Sequence, residues 1–374
     1  MTPLKQVLLD RIAAEGPLPF EEFQRASLYH PRGFFGGEVL RSQKAGDFLT
    51  SPEVSPLFGE MLARFVDAEL RRANPPSRSQ GEREGRAIEL PGLDAPVANE
   101  KVTIVEVAAG SGSLLHALLR TVESDVEAWA VEIAPPAQEM LEKVVPGRVT
   151  DDLSKVPDPR VVIANELFDN IPVAIATRQD GGWRERWVGR DGDALVLVDT
   201  EPRPEVAEWC DRFGLPCPEG GVVEVQLEAG EWLRAALDHV GAGTVVCIDY
   251  GDETENLAPR RQDGTLRTYR SHHLGPHPLE EPGETDITVD VNFTAMRAVA
   301  EEAGATVEVH RQDGFLADMG LRRVLSDTRR ESLEAARAGD VMRQMQLKSR
   351  ANEAETLMHP RGLGDFRVLI ARVG

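Results

Sequence analysis

The stretch Val102-Thr-Ile-Val-Glu-Val-Ala-Ala-Gly-Ser-Gly-Ser-Leu-Leu115 decides the fold. Its opening run, Val102 to Val107, is apolar and rich in β-branched residues, the composition of a strand buried on both faces of a parallel sheet. The run breaks at Ala108-Ala109-Gly110-Ser111-Gly112, and a helical pattern resumes from Ser113 to about Val122. Small residues at such a turn let a ligand approach the backbone, and the following helix presents unpaired N–H groups. Doubly wound α/β proteins hold nucleotides and nucleoside-containing ligands in this way.

The turn does not carry the dinucleotide fingerprint. With Gly110 and Gly112 as the first two glycines of G-x-G-x-x-G, the third position is Leu115, which would crowd helix against strand. The other alignment, acidic-x-small-x-Gly-x-Gly from Glu106, matches the first motif of S-adenosyl-L-methionine (SAM) methyltransferases. Glycine-bearing strand–helix turns also occur with no ligand, so the flanking segments carry the decision.

Ala128 to Ile133 reads as a second strand, with Glu132 about 20 residues beyond Gly112, where an acidic residue accepts hydrogen bonds from ribose hydroxyls. Asp151-Asp152-Leu153 falls where a third strand ends. There Asp152 can meet an adenine amino group while Leu153 covers the ring. Val161 to Ala164 is a fourth strand, followed by Asn165-Glu166-Leu167-Phe168-Asp169-Asn170-Ile171-Pro172. In a doubly wound sheet this strand lies beside the first, so its carboxyl end faces the Gly110 turn. Glu166 and Asp169 can then present two carboxylates to one cavity. Two acids and Asn165 are costly to bury there without partners.

Before the first strand, residues 1–73 read as an N-terminal helical segment, with the Gly46-Asp47 turn at one rim of the sheet. Ser51 can cap a helix with Pro52 in its first turn, and Val54, Leu57, Phe58, Met61, Leu62 and Phe65 follow at helical spacing. Residues 74–100 mix Pro, Ser, Gly and alternating charges without a period and read as a flexible connection. Residues 101–374 form the remaining domain, with insertions at about 174–230 and 252–287. The first carries a hairpin around Gly189 to Asp193 and is expected to shape a substrate entrance; the second is irregular. Residues 231–240 and Asp290 to Gly304 read as helices, and Thr244 to Ile248 and Thr306 to Val309 as further strands. Residues 321–357 form a long charged helical stretch, and Phe366 to Val373 a closing strand.

The 374 residues carry a formal net charge of −21. That charge repels polyanions and excludes nucleic acid as a partner, while it favours cationic ligands such as a sulfonium cofactor or an arginine-bearing polypeptide. No apolar run is long enough to span a membrane, and no signal peptide is evident. Cys210, Cys217 and Cys247 form neither a disulfide framework nor a metal pattern, and His272, His273 and His277 lack accompanying ligands at firm spacing, so no metal is assigned. A reducing cytoplasm is the expected location.

Several separated segments together resemble the MidA-like family of class I SAM-dependent methyltransferases. They are Gly46-Asp-Phe-Leu-Thr-Ser-Pro-Glu53, Glu106 to Leu114, Asn165 to Pro172, Gly182-Trp-Arg-Glu-Arg-Trp187, Asp249-Tyr-Gly251, Asp286 to Phe293, and Gly314-Phe-Leu-Ala-Asp-Met-Gly320. The resemblance implies an α/β fold, a Rossmann-like seven-stranded sheet with an N-terminal helical segment and inserted β/α elements. It also implies that Gly46, Asp47, Thr50 and Ser51 border the SAM pocket alongside Glu106, Gly110, Gly112 and Glu132, and that Glu166 and Asp169, with Asn165, lie near the transferred methyl. The mitochondrial member of the family is a complex I assembly factor that methylates a protein arginine. The implied activity is therefore SAM-dependent methylation of a protein substrate, an arginine of a complex I subunit or a similar protein. A SAM-binding assembly factor without catalysis and a small-molecule methyltransferase are the rival readings. The oligomeric state is open, a homodimer among the options. One departure is Ala108, where the family usually has Gly; Ala tolerates φ > 0 poorly.

Overall fold

The computed structural model describes residues 2–37, 51–73, 101–270 and 273–374. The connection at 74–100 lies outside these residues. Seven strands form the main sheet, numbered here in chain order: β1 (Val102–Val107), β2 (Val126–Val131), β3 (Val149–Thr150), β4 (Val161–Asn165), β5 (Gly243–Asp249), β6 (Thr306–Arg311) and β7 (Arg367–Val373). Their spatial order is β6-β7-β5-β4-β1-β2-β3. β1 pairs in parallel with both β2 and β4, and β5 pairs in parallel with β4. β7 runs antiparallel between β5 and β6. The order reverses between β1 and β4, so the carboxyl ends of these strands border one crevice.

Both faces of the sheet are covered, which is why its strands read as continuous apolar runs. Val105, Val107, Val162 and Ala164 face one core, joined by Leu233, Ala236 and Leu237 of the Leu227–Val240 helix. Ile104, Val161 and Ile163 face the other, joined by Leu57, Phe58, Met61, Leu62 and Phe65 of the Pro56–Ala73 helix. Each fully buried side chain of this kind contributes about 1.5–3 kcal/mol.

The 174–230 insertion forms most of a second, antiparallel sheet, built from Ala174–Gln179, Gly182–Asp191, Ala194–Thr200 and Val222–Val225 with Leu18–Pro19 at its edge. The helices Pro3–Glu15 and Phe20–Tyr29 pack on it through Leu4, Leu8, Phe20 and Phe23 against Ile175, Val188 and Leu195. The 252–287 region is more regular than its Gly- and Pro-rich sequence implies: Arg267–Arg270, His273–Leu274 and Asp286–Thr288 make a three-stranded sheet. The charged helical stretch expected over 321–357 is a hairpin of two helices, Leu321–Arg337 and Val341–Leu357. Gly339-Asp340 breaks it, with the Asp340 side chain accepting the Arg343 N–H at 3.0 Å as the second helix's cap. No helix among the described residues is long and apolar enough to cross a membrane.

Candidate functional site

The turn after β1 has the conformation that its small residues permit. Ala108 has φ +55°, Gly110 φ +51° and Gly112 φ +77°. Gly112 starts the Ser113–Leu119 helix from a left-handed conformation, and a Cβ there would lie 2.9 Å from Leu141 Cδ2. Its left-handed conformation favours glycine, and its Cβ direction points at Leu141 and Val144 behind the turn.

In front of the turn lies a cavity of about 950 Å³, at the upper end of ordinary small-molecule sites. Glu106, Gly110, Glu132, Asp152, Leu153, Asn165, Glu166 and Asp169 all line it. Two residues expected at the cofactor do not: Gly112 sits behind the turn, and Ser51 reaches the site only through its backbone N–H, which donates to Glu166 Oε1 at 3.2 Å. Gly46, Asp47 and Thr50 lie outside the described residues. None of the lining residues comes from 174–230; the second insertion supplies Tyr269 and Asp286, with Thr288 just beyond it.

Glu132 follows β2 directly. Its Oε2 accepts the Gly110 N–H at 2.9 Å, and its Oε1 accepts those of Ile133 at 2.8 Å and Ala134 at 2.9 Å. One carboxylate therefore joins the β1 turn to the end of β2. Asp152 is exposed; its Oδ1 accepts the Ser154 N–H at 2.8 Å, a bond that holds its carboxyl below the usual range. Glu106 is buried, and burial, with Glu132 nearby, raises its carboxyl well above the usual range.

Across the crevice, Glu166 takes φ +52°, strained for a residue with a Cβ, and its N–H donates to the Ile248 carbonyl at 2.8 Å. Its Oε1 also accepts Asn165 Nδ2 at 3.4 Å. Asp169 is 5% exposed, and its Oδ2 accepts the Tyr250 hydroxyl at 2.6 Å. Burial raises the Asp169 carboxyl to about 6, while the Tyr250 hydrogen bond pulls it down in part. Asp249, at the end of β5, is buried with its carboxyl likewise raised, first by burial and then by the charges of Asp169 and Glu166. Its Oδ2 accepts the backbone N–H groups of Phe168 (2.9 Å) and Asp169 (3.2 Å), and its Oδ1 that of Tyr250 (2.9 Å).

Among the described residues, every charged lining residue except Lys155 is acidic, and Lys155 pairs with Asp151. Three buried oxygens in this lining, Glu106 Oε2, Asn165 Oδ1 and Asp169 Oδ1, have no hydrogen-bond partner of normal geometry among the described residues. Asn165 Oδ1 and, with Asp169 ionised at neutral pH, Asp169 Oδ1 are acceptors, so the complementary ligand brings donors and positive charge to them. A sulfonium-bearing amino acid cofactor fits that description, as does a guanidinium.

Sequence reasoning assigned no role to Tyr29, Phe35, Trp232, Tyr250, Tyr269 or Asp286, all of which line the cavity. Tyr250 and Asp286 did stand in stretches that carried the family resemblance. Tyr29, whose hydroxyl donates to the Asn170 carbonyl at 3.0 Å, had no local signal. Among the described residues no group of His, Cys, Asp or Glu is arranged to hold a metal ion.

Comparison with known proteins accounts for this arrangement. A family profile described as S-adenosyl-L-methionine-dependent methyltransferase matches residues 89–311. The chain is 26% identical over 361 residues to the mitochondrial protein arginine methyltransferase NDUFAF7 of Xenopus tropicalis, covering 84% of this chain and 74% of that one. It is 27% identical over 402 residues to the same-named protein of Rattus norvegicus, with 98% and 83% covered. A structure from Burkholderia thailandensis, bound to S-adenosyl-homocysteine, superposes with a TM-score of 0.79 at 26% identity, covering 99% of this chain and 91% of that one. The expected cytoplasmic location is corrected by these relatives, which are mitochondrial proteins. The cysteine pattern that prompted it reports a reducing environment without separating one reducing compartment from another. The matched profile covers more than half of the chain, and the solved relative holds the demethylated cofactor on the same fold: the chain belongs to the S-adenosyl-L-methionine-dependent methyltransferases.

Proposed function

We propose that this methyltransferase transfers the methyl group to an arginine side chain of a protein substrate, with Glu166 and Asp169 as the acids that receive the guanidinium. The observation carrying this reading is the pair of partnerless buried oxygens, Asp169 Oδ1 and Asn165 Oδ1, beside Glu166 in an acid-lined cavity. The name of the curated relatives points to the same acceptor. The finer expectation, a complex I subunit, rests on the family resemblance. Residues 101–374 are read as the catalytic domain, with 1–73 supplying Tyr29 and Phe35 to the cavity wall.

SAM, when bound, supplies an activated methyl on a sulfonium. The chain's own residues hold and align the reactants. Gly110 would allow a close backbone approach, Glu132 would accept from ribose hydroxyls, Asp152 would meet the adenine amino group, Leu153 would cover the ring, and Glu106 would face the cofactor beside the turn. Alignment of this kind supplies up to about 7–11 kcal/mol of barrier reduction. A guanidinium stays charged at any working pH, so a carboxylate must orient it and accept the proton that the nitrogen loses as its new bond to carbon forms and the carbon–sulfur bond breaks, its electron pair leaving on a neutral thioether. Asp169 is suited to this because burial raises its carboxyl toward neutrality without neutralising it at pH 7.

The test is peptide mass spectrometry of a host proteome incubated with SAM, with and without the protein. Methylarginine appearing only with the protein supports the reading. Label confined to the low-molecular-weight fraction, or SAM binding without any labelled acceptor, overturns it in favour of a small-molecule enzyme or a non-catalytic assembly factor respectively.

A further inference from the structure

We infer that Tyr250 is a positioning residue for methyl transfer: its hydroxyl holds one oxygen of Asp169 and so turns the other toward the acceptor. The inference rests on the reading of Asp169 as the proton acceptor. Tyr250 follows β5 and Asp169 follows β4, so the two strand ends must be held in register for the pair to form. Asp249 does this, binding backbone N–H groups on both sides of the gap, Phe168 and Asp169 with one oxygen and Tyr250 with the other. The Tyr250 ring packs on Phe366 with centroids 5.7 Å apart, and both rings line the cavity. The side chain therefore has little freedom to swing away, and its hydroxyl meets Asp169 Oδ2 at 2.6 Å. The remaining oxygen, Oδ1, is buried without a partner among the described residues, and Asp169 lines the same cavity. A carboxylate held by one oxygen only presents a defined lone pair with the other, which is what in-line transfer to a guanidinium nitrogen requires.

The groups surrounding Asp169 come from several elements: Asp249 and Tyr250 after β5, Glu166 on its own turn, Tyr29 from the N-terminal helix, and Asp286 and Asp290 from the segment beside it. Apart from the two tyrosines all are acids and oppose ionisation of Asp169; the carboxylate is favoured first by the Tyr250 hydroxyl and then by the backbone N–H groups of Asn170 and Asp169 itself. Burial and the adjacent acids raise the phenol well above its usual range, so it remains a donor at working pH. Removing that donor raises the Asp169 carboxyl further, and the acid limb of the rate profile moves upward with it.

Tyr250→Phe keeps the ring and deletes the bond. The assay is the initial rate of methyl-label incorporation from SAM into desalted host-cell protein across pH, with SAM affinity by calorimetry. The expected result is SAM affinity within about twofold, a rate at pH 7 lower by about 10- to 100-fold, and an acid limb about half to one unit higher. A second variant, ring-difluorinated tyrosine placed at 250, preserves shape and strengthens the donor, and should move the limb the other way. An unmoved acid limb in both variants, with Asp169→Asn inactive, overturns the role of Tyr250 alone. Wild-type transfer by Asp169→Asn overturns the underlying reading and this inference with it.

Discussion

The Glu132 carboxylate is bonded to the Gly110 N–H at 2.9 Å, so the acidic residue after the second strand braces the glycine turn after the first. Glu132 also lines the cavity, and a carboxylate that accepts three N–H groups retains a lone-pair site for a ligand. Glu132→Gln keeps the shape and removes the charge and one acceptor. Charge-assisted bonds of this kind are worth about 1.5–3 kcal/mol, so SAM should bind about 10- to 100-fold more weakly by calorimetry. Unchanged affinity would remove Glu132 from the cofactor site.

Ala108 sits at φ +55°, a conformation that costs an L-residue about 1–2 kcal/mol and glycine nothing. Glycine in turn loses about 0.4–1 kcal/mol through its freer unfolded chain. Ala108→Gly should therefore stabilise the protein by about 0.5–1 kcal/mol in urea unfolding without weakening SAM binding. A lower unfolding midpoint would show that the Ala108 methyl makes compensating contacts.

How much of this was legible in sequence depended on how local each feature is. Val102 to Leu115 announced a strand, a small-residue turn and a helix because each signal is contiguous, and Glu132 and Asn165 to Asp169 could be placed because they follow strands whose order the fold constrains. Glu166 and Asp169 do converge on one cavity. Tyr29 was not legible, since an aromatic at the end of an amphipathic helix looks the same whether it faces a core or a cavity. Gly112 was read as a cofactor residue because the motif contains it; only packing against Leu141 reveals its place behind the turn. The helical stretch at 321–357 is helical on both sides of Gly339-Asp340, a break too short to show against so strong a helical pattern.

Asp249 holds three backbone N–H groups at the base of the site. Asp249→Asn turns one acceptor into a donor facing those N–H groups. The expected loss is about 1–3 kcal/mol in urea unfolding, accompanied by a slower transfer rate. A variant with wild-type midpoint and rate would show that the two strand ends are held by something else.

Acid inactivation follows from the state of Asp169. The proton acceptor must be ionised, and its carboxyl is raised to about 6, so activity is retained above that value and falls as pH drops through it. In an initial-rate profile at saturating SAM, the limb should fall about tenfold per unit below pH 6. A limb near 4, the ordinary carboxylate range, would contradict the raised carboxyl.

The central claim is that acids beyond the fourth strand receive an arginine nucleophile. It is tested most directly by methyl-label transfer into protein arginine, measured by amino-acid analysis of hydrolysed protein after incubation with wild type, Glu166→Gln and Asp169→Asn. The account predicts labelled methylarginine with wild type and at least about 100-fold less with either variant, while both still bind SAM within about threefold. Methylarginine at the wild-type rate from both variants, or label on a residue other than arginine, would contradict it.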